Sequence, residues 1–309
     1  MNAHVPVIDV AGIENPARFP HIAQEIGAAA RSIGFFYVKN HSVPRALMEE
    51  TFVRSRAFFA LPLEEKQLIA IEKIGGNRGY SGLKHEALDP NAGGDLKEAF
   101  NIGLDLSPDD PEILARAPFR TLNAWPKVPP FRATLLAYYD ACMQLALEIH
   151  RAFAADLELP LDFFADKFRK PMTTLRLLRY PAASIEGEVG AGEHTDYGNI
   201  TLLATDDVGG LEVRTRSGEW IAAPPRPGAF VVNIGDCLMR WTNDVYASTP
   251  HRVVNRSGRE RCSIAFFVDP DPDARVEAIP GCVPAGEKPR HPPVLAADYL
   301  RMRLDATKI

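Results

Sequence analysis

The second half of the chain consists of short β-forming segments, and this pattern constrains the fold more than any other feature. From about residue 173, runs rich in Val, Ile, Leu, Phe and Thr alternate with Gly, Pro, Asp and Asn. Runs of roughly 5–8 residues separated by regular turn signals are typical of a β-sandwich or barrel. The predicted strands are TTLRLLRY, NITLLAT, GLEVRT, EWIAA, GAFVVNI, CLMRWT, HRVVN, RCSIAFFV and ARVEAI.

The first half of the chain has mainly helical patterns. Ile22, Ile26 and Ala29 recur at spacings of three and four, which predicts a helix with one apolar face over 20–33. A strand at 34–40, helices at 44–59 and 62–71, a long helix after Pro129-Pro130 and a final helix from residue 294 complete the prediction.

We therefore expect an α+β protein with a mainly β core surrounded by helices. Residues 1–120 would form an N-terminal helical and strand region. Residues 121–309 would form the long helix, the β core and the C-terminal helix, and the two parts would make one compact unit.

Composition and charge narrow the class of protein. The chain has 309 residues and a net charge of −5, so neither nucleic acid nor an anionic membrane is an expected partner. The N-terminus lacks the pattern of a secretory signal, and no apolar run is long enough to cross a membrane. The four cysteines are far apart, as in reduced proteins, which favours a cytoplasmic enzyme or binding protein. No oligomeric state is predicted.

A His-x-Asp pair is the first candidate for chemistry. His194 and Asp196 directly precede the predicted strand NITLLAT. Side chains two residues apart on extended backbone point to the same side, so both could reach one metal ion. The pair also occurs by chance, and a turn or capping role explains it equally well in isolation.

His251 is the best candidate for a third ligand, because it opens the predicted strand HRVVN in the β half. The other histidines lie in the N-terminal segment, in loops, in the long helix or in the proline-rich tail. Two imidazoles and one carboxylate are typical of non-haem Fe(II) oxygenases. Zinc hydrolases use the same ligand types, so the metal remains open, although no HExxH motif is present.

Arg261 and Ser263 lie two apart on the strand RCSIAFFV, so both face the same side, which we expect to be the barrel interior. A buried guanidinium needs an anionic partner, and no acid on the same strand supplies one. The partner is either an acid elsewhere in the barrel or a ligand carboxylate. 2-Oxoglutarate fits the second case, because its keto-acid end can chelate a metal while its distal carboxylate reaches the arginine.

The order of motifs resembles the isopenicillin N synthase-like family of Fe(II)/2-oxoglutarate-dependent dioxygenases over about residues 5–300. The motifs that carry the resemblance are VPVIDV, IGFFYVKNHSVP, FFALPLEEK, GYSG, LKEAFNIG, WP, RLLRYP, HTDYGNITLLATDDVGGLEV, PPRPGAFVVNIGDCL, STPHRVV and RERCSIAFFVDP. Leu178 departs from the pattern, because it stands where an asparagine is usual.

The resemblance implies a double-stranded β-helix, or jelly-roll, core. It implies that His194, Asp196 and His251 bind Fe(II), and that Tyr180, Arg261 and Ser263 bind 2-oxoglutarate. The implied activity couples oxidative decarboxylation of 2-oxoglutarate to succinate and CO2 with O2-dependent oxidation of a small organic substrate, by hydroxylation, desaturation or cyclisation.

Two alternatives remain at this point. One is an Fe(II) oxidase of the same fold that does not use 2-oxoglutarate, like isopenicillin N synthase or aminocyclopropane carboxylate oxidase. The other is a non-catalytic jelly-roll binding protein. For the substrate pocket, the candidates are aromatic or polar side chains near the motifs, each of which could equally be core: Tyr197, Tyr80, Asn101, Trp241 and Phe267.

Overall fold

The structure, a computed structural model, describes residues 4–85, 94–182 and 189–306. In these ranges the strands are β1 (Val7–Asp9), β2 (Phe35–Lys39), β3 (Gly79–Ser81), β4 (Glu98–Ile102), β5 (Thr174–Tyr180), β6 (Val189–His194), β7 (Ile200–Thr205), β8 (Leu211–Arg214), β9 (Trp220–Ala222), β10 (Phe230–Ile234), β11 (His251–Val254), β12 (Arg261–Val268), β13 (Arg275–Val276) and β14 (Val294–Leu295).

The helices are α1 (Phe19–Ser32), α2 (Arg45–Phe59), α3 (Leu63–Gln67), α4 (Ile71–Ile74), α5 (Pro111–Leu114), α6 (Phe131–Asp156), α7 (Asp236–Trp241) and α8 (Ala296–Asp305), with 3-10 turns at Ala165–Lys167 and Pro280–Cys282. Among the described residues, no helix is both long and apolar enough to cross a membrane.

Two sheets form the core. Among the described residues, the larger sheet has the order β1-β2-β10-β7-β12-β5-β4-β3, and the smaller has the order β6-β11-β8-β9. Strands that are distant in the chain lie side by side, and apart from the parallel pair β1–β2 the pairings within both sheets are antiparallel. This arrangement confirms the predicted α+β jelly roll with surrounding helices.

The sequence of β12 explains why it lies in the middle of the larger sheet. Ile264, Phe266 and Val268 belong to the apolar core that also includes the inner face of α6. The alternate residues of β12 face the other way, toward the space between the sheets. Because both faces are covered, the strand is apolar almost throughout, with Arg261 and Ser263 as the exceptions.

One predicted strand is wrong: CLMRWT forms most of helix α7. Asp236 supplies an acidic residue in its first turn, where negative charge is favourable, and Leu238 and Trp241 bury one side at a spacing of three residues. A run of six residues with this composition fits the two-residue period of a strand as well as the 3.6-residue period of a helix. The tertiary contacts decide in favour of the helix.

The helical prediction for the first half is also incomplete. Besides its helices, this half contributes β1 to β4, which form both edges of the larger sheet. The chain division at residue 120 stays a prediction.

Candidate metal and cosubstrate site

A cavity of about 1010 Å³ opens between the two sheets. Its floor is built from alternate residues of neighbouring strands, as the two-residue period of a strand requires. From β5 these are Thr174, Arg176, Leu178 and Tyr180, and from β12 they are Arg261, Ser263, Ala265 and Phe267.

His194, Asp196 and His251 meet at the edge of the smaller sheet. His194 is the last residue of β6 and His251 the first of β11, and the two are directly opposite in the antiparallel register. The Nε2 atoms of His194 and His251 lie 3.8 and 3.7 Å from Oδ1 of Asp196. One donor atom from each of the three residues fits within a span of 4.8 Å, a separation that lets one ion bind all three.

The carboxylate of Asp196 is held at one oxygen and open at the other. Thr201 Oγ1 donates to Oδ2 at 2.5 Å, and Asn233 Nδ2 donates to the same oxygen at 2.7 Å. Oδ1 is therefore the atom that faces both imidazoles. Hydrogen bonds of this kind orient metal ligands and fix their geometry.

The imidazoles are set in the tautomer that a metal requires. His194 Nδ1 lies 2.7 Å from the carbonyl oxygen of Gly192, and His251 Nδ1 lies 3.1 Å from that of Thr249. A carbonyl only accepts, so each Nδ1 carries the hydrogen and each Nε2 lone pair is free to coordinate.

Electrostatics favour the same protonation states. Burial and the neighbouring His251 lower the pKa of His194 well below its usual value. Burial raises the pKa of Asp196, but the neighbouring His251 and His194 and the hydrogen bonds from Thr201 and Asn233 together lower it more, so the net pKa is below the usual range. A neutral imidazole and an ionised carboxylate are the forms that bind metal ions.

Arg261 lies in the cavity floor away from the three residues. Its side chain is 1% exposed, Nη1 donates to Ser263 Oγ at 3.2 Å, and Nε has no hydrogen-bond partner. Within the described residues, no acid lies within 4.0 Å of its guanidinium nitrogens, although the Asp206 carboxylate interacts with it electrostatically. Among the described residues, the buried guanidinium thus has no ion-pair partner, as expected if a ligand carboxylate supplies one.

Tyr180 and Leu178 complete this part of the floor. Tyr180 is opposite Arg261 across the β5–β12 ladder, and the guanidinium carbon lies 4.8 Å from the centre of its ring. Leu178 is opposite Ser263 and lines the cavity, so the wall is apolar at the position where an asparagine would offer an amide.

Of the five residues predicted to line a substrate pocket, Tyr197 and Phe267 lie in the wall of this cavity. The other three are not among the cavity-lining residues. Tyr80 donates to buried Glu98 at 2.5 Å, Asn101 donates to Asn77 at 2.8 Å, and Trp241 donates to the Arg275 carbonyl at 3.0 Å within the core. Tyr80 and Trp241 do not reach the cavity because they pack into the helix-covered core. Asn101 is opposite Arg176, on the cavity side of the sheet, but its side chain is fully buried.

Helix α8 closes one side of the cavity. Leu300, Arg301 and Leu304 line the cavity from this helix. Arg303 binds Asp236 on the opposite element α7 and also donates to Thr195 Oγ1 at 3.3 Å. The helix is thereby tied to the loop that carries the candidate metal ligands.

Thr201 and Asn233 hold the Asp196 carboxylate and Asp236 binds Arg303 of α8, and none of the three was predicted from the sequence. Each is a polar residue within or directly after a strongly apolar strand segment, and each is at most 4% exposed. A polar side chain in such a segment is a signal in itself, because it must be paired when it is buried.

Comparison with known families gives two matches along the chain. Residues 172–270 match the 2OG-Fe(II) oxygenase superfamily, and residues 5–128 match the N-terminal family described as non-haem dioxygenase in morphine synthesis.

Curated relatives and solved structures agree with these matches. The 2-oxoglutarate-Fe(II) type oxidoreductase hxnY of Emericella nidulans is 37% identical over 308 residues, covering 96% of this chain and 88% of the relative. Homoarginine-6-hydroxylase 2-ODD-C23 of Glycine max is 36% identical, covering 89% of this chain and 88% of the relative.

Among solved structures, a full-length Neurospora crassa protein in complex with alpha-KG (2-oxoglutarate) superimposes with a TM-score of 0.87 at 34% identity, covering 98% of this chain and 96% of the fungal chain. A further structure of the same Neurospora crassa protein holds both alpha-KG and thymine, with a TM-score of 0.86.

These relatives, the jelly roll and the His-Asp-His cluster support an oxygenase that uses 2-oxoglutarate. They do not favour an oxidase that works without 2-oxoglutarate. The chain belongs to the isopenicillin N synthase-like Fe(II)- and 2-oxoglutarate-dependent oxygenases, and it is an oxidoreductase that uses iron, 2-oxoglutarate and O2.

Proposed function

We propose that His194, Asp196 and His251 hold the catalytic Fe(II) of this oxygenase. The observation that supports the proposal most strongly is the convergence of two Nε2 atoms on Asp196 Oδ1, with Oδ2 already bonded by Thr201 and Asn233. Two neutral imidazoles and one carboxylate on one side of a cavity leave the other side open, and this donor set suits Fe(II).

Arg261, Ser263 and Tyr180 bind the distal carboxylate of 2-oxoglutarate in this proposal. The guanidinium is buried and lacks an ion pair within the described residues, while Ser263 and Tyr180 lie beside it. A planar guanidinium can bind a carboxylate through two hydrogen bonds, so it would fix the orientation of the cosubstrate as well as its charge.

The residues of the chain bind and orient, and the bound iron with 2-oxoglutarate and O2 supplies the oxidising power. Thr201 and Asn233 keep Asp196 in place, and the carbonyls of Gly192 and Thr249 keep the imidazoles in their tautomers. Helix α8 and the aromatic side chains of Tyr197 and Phe267 limit the access of water to the cavity.

The substrate is a small organic molecule that lies against Tyr197 and Phe267. The Neurospora crassa protein is solved with thymine, and another relative is named for hydroxylation of homoarginine, so similar proteins act on small organic molecules. No nucleic-acid or membrane partner is proposed, and the cytoplasmic location stays a prediction.

Turnover of 2-oxoglutarate tests this function. Purified protein with Fe(II), 2-oxoglutarate and O2 should release succinate and CO2, more rapidly when a substrate is added. His251→Ala should abolish this release, whereas Arg252→Gln, a change at the next and partly exposed position, should leave it within about twofold of wild type. Substrate oxidation without consumption of 2-oxoglutarate would reject the proposal.

A further inference from the structure

A second buried arginine lies in the cavity wall, away from the proposed cosubstrate site. Arg78 precedes β3 and is 4% exposed. Its Nη1 donates to the Asn77 carbonyl at 3.1 Å and to Thr174 Oγ1 at 3.3 Å, and both acceptors are neutral. Nε has no hydrogen-bond partner.

The burial of Arg78 is costly for the protein. Burial lowers the pKa of Arg78 to about 10, so the guanidinium still carries its charge at neutral pH. The nearby carboxylate of Asp269 interacts with it electrostatically, but no ion pair within 4.0 Å joins Arg78 to any described acid. A charged group with unused donors in a cavity wall is the arrangement that an anionic ligand would complete.

Gly103 leaves the space that this guanidinium occupies. A Cβ atom added to Gly103 would lie 1.9 Å from Nη2 and 2.3 Å from Cζ of Arg78. Any larger residue at position 103 would therefore displace the guanidinium group. Arg78 thus has a defined place beside the end of β4.

Strand register relates Arg78 to the proposed iron site. Thr174, which accepts from Arg78, is opposite Phe267, and Phe267 is opposite Thr201, which holds Asp196. Adjacent strands are about 4.8 Å apart, so the Thr174 backbone lies roughly 10 Å from that of Thr201. A small molecule bound at Arg78 would extend over this row toward the iron ligands.

The same register separates Arg78 from the cosubstrate site. Arg261 begins β12 and Phe267 is near its end, and both belong to the cavity floor. At about 3.3 Å per residue, these positions are on the order of 20 Å apart along the strand. The two buried guanidinium groups can therefore bind different carboxylates at the same time.

We propose that Arg78 binds a carboxylate of the primary substrate, which makes this enzyme selective for carboxylic acids over neutral analogues. The inference rests on the proposed function, because the iron site defines the direction in which the bound substrate points. Binding of a carboxylate at Arg78 does not itself require iron.

Thermal shifts of the metal-free protein test the proposal. With 2-oxoglutarate at saturation to occupy Arg261, the probes are benzoate, phenylacetate and 3-phenylpropionate, each paired with its primary amide. For at least one pair, wild type should bind the carboxylate about 10- to 100-fold more tightly than the amide. If no pair shows such a preference, the proposal is overturned.

Variants then assign the preference to Arg78. Arg78→Gln should reduce the ratio to within about threefold, and Arg78→Lys should give an intermediate ratio because it keeps the charge without the planar donor fork. The control Arg45→Gln, at an exposed arginine paired with Glu49, should keep the wild-type ratio. If Arg78→Gln does not fold, Arg78→Lys decides, and an unchanged ratio in either variant overturns the proposal.

The readouts separate this proposal from the proposed function. If wild type releases no succinate when Fe(II) and 2-oxoglutarate are supplied, the proposed function is rejected. The preference for carboxylates can still be measured in that case. Conversely, Arg78→Gln should retain the wild-type affinity for 2-oxoglutarate, because that affinity depends on Arg261.

Discussion

Asp196 uses its two carboxylate oxygens for different tasks. Oδ2 accepts from Thr201 and Asn233, whereas Oδ1 faces the two imidazoles. The sequence predicts Asp196 from its spacing to His194, since two residues on extended backbone share a side. It does not predict Thr201 or Asn233, because these contacts depend on the register between β7 and β10.

Removing one of the hydrogen bonds to Asp196 should weaken iron binding. We expect Thr201→Val to lower the affinity for Fe(II) by about 10- to 100-fold, because the carboxylate can then rotate away from the imidazoles. Thr201→Ser keeps the hydroxyl and should remain within a few-fold of wild type. Anaerobic titration with Fe(II) measures both, and equal affinities in the two variants would contradict this role for Thr201.

Arg261 should affect stability and cosubstrate binding in opposite directions. Without 2-oxoglutarate, Arg261→Met should leave the free energy of unfolding unchanged or raise it, because an unpaired buried charge is replaced by an apolar side chain of similar length. The variant should lose at least about 30-fold in affinity for 2-oxoglutarate. Denaturation in urea and equilibrium binding measure the two effects, and a destabilised variant with normal affinity would refute the assignment.

At the scale of elements, α8 and α7 connect the outer wall of the cavity to the metal-ligand loop. Tyr299 donates to Asp236 Oδ2 at 2.9 Å, and Ser248 donates to Oδ1 at 2.7 Å. Arg303 binds the same carboxylate and lies over the ring of Tyr197, 4.4 Å from its centre. Asp236 thus accepts hydrogen bonds from both Tyr299 and Arg303 and attaches α8 to the site.

Loss of this attachment should release α8 without unfolding the core. In Arg303→Met, the amides of Ala296–Asp305 should exchange hydrogen at least about tenfold faster than in wild type, while β12 keeps its protection. Arg301→Gln, whose partner Asp298 is exposed like itself, should change the exchange of α8 by less than about threefold. Equal exchange in Arg303→Met and wild type would show that the contact does not hold the helix.

The sequence predicts long elements well and short ones poorly. The repeated apolar spacing predicts α1, α6 and most strands of the second half within a few residues. Helix α7 is too short for its period to be distinguished from a strand, and β3 and β4 are defined by pairing with β5 and with each other. Such pairings are long-range, so local patterns contain no signal for them.

At the scale of the whole molecule, His150 connects the long helix α6 to the loop that follows Asp196. Its Nδ1 donates to the Ala146 carbonyl at 2.7 Å, and its Nε2 accepts from Asn199 at 3.1 Å. The rings of Phe164 and Phe168 pack against it, at 5.4 and 4.7 Å between centres. Burial lowers the pKa of His150 to about 4, so the ring is neutral in the folded protein.

The folded protein should therefore lose stability in mild acid. The unfolded chain binds a proton at His150 below about pH 6.5 while the folded chain does not, so the stabilisation is complete above that pH and falls between pH 6.5 and 4. In His150→Gln, the loss over this range should be smaller by up to about 3 kcal/mol. Urea denaturation at several pH values measures the difference, and parallel curves for wild type and variant would contradict it.

The central claim is that the three residues at the sheet edge hold iron while Arg261 holds 2-oxoglutarate in the same cavity. The most direct measurement is an anaerobic titration of the metal-free protein with Fe(II) and 2-oxoglutarate, followed by the visible charge-transfer band of the iron–cosubstrate complex. Wild type should show a band that requires both additions, His251→Ala should show none, and Arg261→Met should need a much higher concentration of 2-oxoglutarate. A band of wild-type strength in His251→Ala would contradict the account.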